Sequence, residues 1–119
     1  MSEQISWHVE LQVKPGQIDA LRVLTREMIE STKRESGVLI YERFMSDDGQ
    51  VVHLLERYVD STAAAAHLVA FERQYGERFA SMVDRKRFTV FGTPSVELMQ
   101  ILDRFGARYV ASFAGFSNI

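Results

Sequence analysis

Three polar side chains in this sequence have types and positions suited to acid–base chemistry inside an apolar pocket. His67 lies on a helical stripe of apolar residues. An imidazole, with a reference pKa of about 6.5, can take a proton from a phenol near neutral pH. Glu56 shares a strand face with apolar residues, where it could orient His67 or keep it charged. Tyr41 could donate a hydrogen bond to a developing oxyanion. We therefore predict His67, Glu56 and Tyr41 as catalytic residues.

Each of these residues also has a purely structural interpretation. His67 could be a core histidine that is bonded to a backbone group or to Glu56. Glu56 could pair with an arginine such as Arg43, because a buried carboxylate without a partner is costly. Tyr41 and Tyr58 could be strand aromatics whose hydroxyl groups reach the rim of the sheet. The sequence leaves both interpretations open.

Aromatic residues at strand and helix spacing predict the walls of a ligand pocket. Flat apolar ligands pack well against such side chains, although plain core packing is the alternative. The predicted ligand-binding residues are Trp7, Tyr58, Phe71, Tyr75 and Phe91. His8 and His53 fall on the strand faces opposite Trp7 and Glu56, so a subunit interface suits them better than the pocket.

The elements that must hold these residues follow from hydrophobic periodicity and from turn and capping residues. The pattern predicts strands at 5–13, 38–45, 50–58, 87–91 and 108–113, and helices at 17–35, from 61 to about 82, and from 94 to 105. Asp60 and Ser61 can cap the second helix, which Gly76 divides in this interpretation. Gly37 is predicted to cap the end of the first helix. The basic run 85–87 is predicted as a solvated turn before the fourth strand.

The predicted order is β α β β α β, followed by a helix and a possible last strand. This is the ferredoxin-like split βαβ order, an α+β fold with an antiparallel sheet and its helices on one face. We predict a single domain over 1–119, with a core at 1–93 and a C-terminal extension at 94–119. Both faces of the hairpin at 38–58 carry apolar residues, so we expect a second subunit on the face without helices.

Composition excludes several classes of function. The net charge of −2 and the absence of a basic block argue against a nucleic-acid partner. The absence of cysteine excludes disulfides, thiolate nucleophiles and iron–sulfur clusters. The three histidines lack zinc-site spacing, and no glycine-rich phosphate loop is present. No signal pattern occurs and no apolar run approaches about 20 residues, so we expect a cytoplasmic protein without membrane association.

Four segments together resemble the antibiotic biosynthesis monooxygenase family over roughly residues 5–92. They are VKPG at 13–16, ESGVLIYE at 35–42, LLERYVD at 54–60 and STAAAAH at 61–67. The resemblance implies a dimeric α+β barrel with a pocket between sheet and helices. It also implies oxygenases that convert polyphenols to quinones without metal or flavin, with haem-degrading relatives. Those relatives use a pocket asparagine and tryptophan, whereas this chain has only Asn118 and Trp7.

These observations lead us to expect a cofactor-independent monooxygenase that acts on a small aromatic or polyphenolic substrate. The protein is expected to be a homodimer that needs no cofactor and no metal, with His67 as the base. One alternative is a non-catalytic dimeric barrel that binds a small apolar ligand. A third interpretation is a haem-degrading oxygenase.

Overall fold

The structure, a computed structural model, describes residues 3–119. Within these residues the chain forms five strands and three helices. The strands are β1 (Ile5–Val13), β2 (Val38–Met45), β3 (Val51–Tyr58), β4 (Val83–Phe91) and β5 (Arg108–Val110), and the helices are α1 (Ile18–Thr32), α2 (Ser61–Met82) and α3 (Val96–Arg104). None of the helices in this range is both long enough and apolar enough to cross a bilayer.

The strands form one open sheet in the order β2-β3-β1-β4-β5. The first four strands pair antiparallel, and β5 pairs parallel with β4 at the edge. Strict alternation in β1 buries every odd residue from Ile5 to Val13 and leaves the even ones partly exposed. The buried residues face the helices, and we call this the inner face of the sheet. The predicted ferredoxin-like α+β fold is confirmed.

Two helices begin at residues whose side chains cap them, and these caps fix where each helix starts. The Asp60 carboxylate accepts a hydrogen bond from the Ala63 N–H at 2.9 Å, as predicted for α2. The Ser95 hydroxyl accepts one from Leu98 at 3.2 Å. Pro94 therefore precedes the cap of α3, and its predicted place as the first helical residue is wrong. The predicted division at Gly76 is also wrong, because α2 is continuous from Ser61 to Met82.

The fourth strand is longer than its apolar pattern indicated. It begins at Val83, directly after α2, so the basic run 85–87 lies on the strand and not in a turn. The side chains of this run are exposed, as expected of charged residues. A register shift between Glu10 and Leu11 lets the long strand pair with β1 along its whole length. That irregularity explains why the alternating pattern at the start of β4 is not visible in the sequence.

Gly37 brings the segment before β2 against the start of α2. α1 ends at Thr32, with Lys33 at its C-cap position, so the predicted capping role of Gly37 is wrong. A Cβ atom at Gly37 would instead collide with Cβ of Ala63 and lie 3.2 Å from a methyl group of Val59. A glycine is needed here because the two backbones approach closely, and Asp60 and Ala63 can then place α2 over the sheet.

Gly37→Ala should lower the free energy of unfolding by about 1–3 kcal/mol, because the added methyl group overpacks the contact with Ala63. Gly76→Ala is the matched control. A Cβ there meets nothing within 4 Å, so alanine in the helix should be neutral or stabilising by up to about 1 kcal/mol. Urea unfolding of both variants measures the difference. Equal effects of the two substitutions would contradict the close contact at Gly37.

Candidate functional site

One row of the sheet carries most of the polar groups of the site. In the strand register Tyr41 is the partner of Glu56, Glu56 of Trp7, and Trp7 of Val90. Residues paired in this way point to the same face of a sheet, here the inner face under the helices. The antiparallel register therefore brings together residues that lie far apart in the sequence.

Glu56 is a buried carboxylate with a complete set of donors. Its Oε1 accepts hydrogen bonds from Trp7 Nε1 at 2.9 Å and from the Tyr58 hydroxyl at 2.5 Å. Its Oε2 accepts one from Arg43 Nη2 at 2.7 Å. Burial alone would favour the neutral acid, but the charge of Arg43, that of His67 when it is protonated, and the Tyr58 hydrogen bond outweigh it and lower the pKa of Glu56. Glu56 is therefore ionised at neutral pH.

The two tyrosines beside Glu56 stay protonated at neutral pH, so each keeps a hydroxyl hydrogen that it can donate. Burial raises the pKa of Tyr58 well above its usual value, and the Glu56 carboxylate adds to this effect. Burial also raises the pKa of Tyr41. The Tyr41 ring lies below the Arg43 guanidinium, whose Cζ is 3.4 Å from the ring centre. Arg43 is thus held both by the carboxylate and by the ring.

His67 lies between two carboxylates. Its Nδ1 is 3.0 Å from Oε1 of Glu35, and because an ionised carboxylate only accepts hydrogen bonds, Nδ1 carries the hydrogen. Its Nε2 is 3.7 Å from Oε1 of Glu56, beyond hydrogen-bond length. The ring is only 5% exposed and packs against Tyr58 and Tyr41. A neutral His67 oriented in this way has its basic nitrogen, Nε2, on the side of Glu56.

A narrow cavity of about 40 Å³ lies between the inner face and the helices. Its lining residues are Trp7, Val9, Leu11, Met28, Tyr41, Arg43, Leu54, Glu56, His67, Leu68, Phe71, Phe79, Arg85, Phe88 and Phe105. An open cleft of about 430 Å³ adjoins it, and the two share Phe71, Phe79, Arg85 and Phe105. As it stands the inner cavity has room for a few waters. A larger ligand must move the shared side chains.

The structure brings most of the predicted site residues together. His67, Glu56, Tyr41, Trp7 and Phe71 all line the cavity. Tyr58 is completely buried next to it and donates to Glu56. Tyr75 lines a smaller space on the other side of His67, together with Glu35.

Phe91 is the predicted site residue that the structure places on the opposite face of the sheet from the cavity. It is the register partner of Ser6, which alternation places on the outer face of the sheet. Its side chain is 43% exposed. The prediction treated the strand aromatic as a pocket wall, and the pairing with β1 shows that it faces the other way.

Several residues of the site were not predicted as such, among them Glu35, Arg43 and Phe105. Glu35 follows α1, outside any regular element, and nothing in the sequence connects it to His67. Arg43 lies two residues after Tyr41 and therefore on the same strand face. That spacing could have predicted Arg43 as a site residue and not only as a partner of Glu56. Phe105 directly follows α3 at its C-cap position, and the placement of this helix end over the cavity depends on the tertiary fold. Across residues 3–119, no three His, Cys, Asp or Glu side chains are arranged to hold a metal ion.

Comparison with known proteins identifies both a family and a fold. The family model for antibiotic biosynthesis monooxygenase matches residues 5–74. No curated protein matches the sequence. The solved structure of MupZ from Pseudomonas fluorescens is 23% identical with a TM-score of 0.84, and the match covers 99% of this chain and 91% of MupZ.

Two further solved structures have the same fold. A candidate antibiotic biosynthesis monooxygenase from Nitrosomonas europaea is 25% identical with a TM-score of 0.68, and the match covers 78% of this chain and 92% of that one. SnoaB from Streptomyces nogalater, a cofactor-independent oxygenase, is 10% identical with a TM-score of 0.66 over 80% of this chain and 97% of SnoaB. The MupZ match covers 99% of this chain and so includes the C-terminal helix and strand.

Glu56→Gln should lower the free energy of unfolding at neutral pH by about 3 kcal/mol, because Arg43 then faces a neutral amide inside the protein. The pKa of Glu56 is lowered in the fold, so its ionisation stabilises the protein above its ordinary pKa of 4.5. That stabilisation is lost as the pH falls through the lowered value. The deficit of the variant should therefore shrink below about pH 4.5.

Urea unfolding between neutral pH and about pH 3 measures this deficit. Glu30→Gln is the control, since Glu30 is exposed on α1 and pairs only with Lys33. A deficit for Glu56→Gln that stays constant over the whole pH range would contradict the ionised state of Glu56.

Proposed function

Because this chain belongs to the antibiotic biosynthesis monooxygenase family, we propose that it is a cofactor-independent monooxygenase that oxidises a small polyphenolic substrate to a quinone. The observation that supports this best is the placement of His67. Its Nδ1 is held by Glu35, and the ring lines an apolar cavity beside Glu56. A base fixed in one tautomer by a carboxylate is what proton removal from a bound phenol requires. SnoaB, a cofactor-independent oxygenase, shares the fold and supports the same assignment.

The proposed reaction begins with proton transfer from the substrate to Nε2 of His67. The resulting imidazolium lies between the carboxylates of Glu35 and Glu56, which stabilise its charge. The electron-rich substrate anion then gives one electron to oxygen, and the substrate radical combines with superoxide to form a peroxide. Loss of water from the peroxide leaves the new carbonyl group. One substrate CH₂ and one O₂ thus become one C=O and one water.

We further propose that the substrate enters from the open cleft between α2, β4 and α3. Phe105 and Arg85 lie at the boundary between cleft and cavity, with the Arg85 guanidinium 4.9 Å from the centre of the Phe105 ring. Phe105 also packs against Phe88 of the sheet at 6.0 Å between ring centres. In this proposal the C-terminal extension contributes to the same domain as the core and closes the cavity over the substrate.

The outer face of the sheet supports a homodimer. It exposes Phe44 at 49%, Leu55 at 39% and Val110 at 43%, and it holds the stacked His8–His53 pair. Apolar side chains spread over one sheet face, opposite the face that the helices cover, are a typical subunit interface. We propose that two copies pack sheet to sheet, as the family resemblance implies.

His67→Ala should reduce oxygen consumption at least about 100-fold while leaving the fold intact, because the proton acceptor is removed. Oxygen uptake is measured with a panel of hydroxylated anthrones and naphthols, without added cofactor and against a protein-free blank. Circular dichroism confirms folding.

His53→Gln is the matched control, since His53 lies on the outer face, and it should keep the wild-type rate. Uptake that is the same in the His67 variant would reject His67 as the base. Conversion of the panel without oxygen consumption would point to acid–base chemistry alone. Saturable binding without any turnover would favour the non-catalytic binding protein.

Sedimentation at micromolar concentration should give twice the 13.6 kDa chain mass. Leu55→Asp should shift the protein toward monomer, because the new charge would be buried at the interface. Val69→Asp is the control, since Val69 is 42% exposed on α2, away from the outer face. A wild-type monomer, or equal effects of the two substitutions, would contradict the proposed interface.

A further inference from the structure

We propose that Nε of Arg43 binds an ionised oxygen of the substrate, so that the cavity selects aromatic compounds with an acidic hydroxyl group. This inference rests on the proposed function only in taking the cavity as the substrate site. The ionised hydroxyl group that binds Arg43 would lie on the same aromatic substrate from which His67 removes a proton. The substrate class is therefore narrowed from polyphenolic compounds in general to those with a hydroxyl group that is ionised near neutral pH.

The first observation is an unsatisfied donor. The Nε atom of Arg43 is buried, and no residue in the described part of the chain accepts a hydrogen bond from it. The other guanidinium nitrogens are used, since Nη2 donates to Glu56 at 2.7 Å and Nη1 to the Glu42 carbonyl at 3.4 Å. Buried donors in folded proteins are nearly always paired, and one left unpaired costs free energy. A ligand oxygen would satisfy it.

The second observation is that this donor belongs to a rigidly held side chain that lines the cavity. The Arg43 side chain is only 12% exposed and lines the cavity with His67. Its guanidinium is fixed on two sides, by the Glu56 carboxylate and by the Tyr41 ring. A donor held in this way does not lose conformational freedom when a ligand binds. The free energy of the new hydrogen bond therefore goes into affinity.

The third observation concerns the acceptor that suits such a donor. A guanidinium forms its strongest hydrogen bonds with anionic oxygens, and these bonds are about twice as strong as neutral ones. Glu56 already accepts from Trp7, Tyr58 and Arg43, so its own acceptor capacity is largely used. An ionised hydroxyl oxygen on the ligand is the group that can use the remaining donor. A quinone carbonyl would use it less well.

A matched pair of ligands tests this inference. 2-Hydroxy-1,4-naphthoquinone is ionised at neutral pH, and 1,4-naphthoquinone has the same rings without the hydroxyl group. The chain has no cysteine, so the quinones cannot add to a thiol. Trp7 is the single tryptophan and lines the cavity, so quenching of its fluorescence reports binding. Titrations are performed under nitrogen and corrected for absorption with free tryptophan.

Wild-type protein should bind the hydroxyquinone at least about tenfold more tightly than the parent quinone. Arg43→Lys keeps a positive charge opposite Glu56 but lacks Nε, and it should lose this preference while binding the parent quinone within about twofold of wild type. The double variant Arg43→Gln with Glu56→Gln removes both charges and should also lose the preference for the hydroxyquinone. Arg57→Lys, on the outer face, should keep the preference.

A wild-type protein that binds both quinones equally, or neither, would overturn the inference. Retention of the preference in Arg43→Lys would overturn it too, since Arg43 would then have only a structural role. The outcome is separate from that of the oxygen-uptake experiment. Selective binding of the hydroxyquinone without oxygen uptake would support the Arg43 binding site and reject the proposed oxygenase activity.

Discussion

A carboxylate held inside an apolar core is the constraint on which the rest of this site depends. Removing Glu56 from water is unfavourable unless its oxygens receive donors and its charge receives a partner. Trp7 and Tyr58 donate to one oxygen, and Arg43 donates to the other and neutralises the charge. Each of these side chains is thereby fixed in orientation. The carboxylate thus organises four side chains of three adjacent strands into a single rigid network.

The imidazole of His67 is oriented by carboxylates on both sides. Glu35 fixes Nδ1 from the side of α1, so the ring can only present Nε2 toward Glu56 and the cavity. α2 must lie close to the sheet for this to happen, and the close approach of Gly37 to Ala63 allows it. Gly37, which lies outside the site, and the helix cap at Asp60 therefore both help to position the imidazole of His67.

Sequence reasoning reached the fold and the polar centre because both depend on short-range patterns. Alternation gave β1 and β2 with their observed bounds, and helical spacing put His67 on the buried side of α2. The residues it missed depend on tertiary packing. Glu35 lies 32 residues from His67, and the predicted helix 17–35 included it, whereas α1 ends at Thr32. Phe91 was assigned to the wrong face because it was counted as an aromatic pocket wall, whereas Phe88 and Val90 occupy the inner face and strand alternation turns Phe91 outward.

The charges of the site indicate the direction in which a proton should move. With His67 neutral, Arg43 balances Glu56, and Glu35 contributes one further negative charge next to the imidazole. Transfer of a proton from a neutral phenol to His67 creates an imidazolium between two carboxylates and an anionic oxygen in a cavity that Arg43 lines. In the proposed reaction each new charge then has a group of opposite sign within the same buried space, where such interactions are strong. The proposal uses this charge separation because an electron-rich anion is the form of an aromatic substrate that reacts with oxygen.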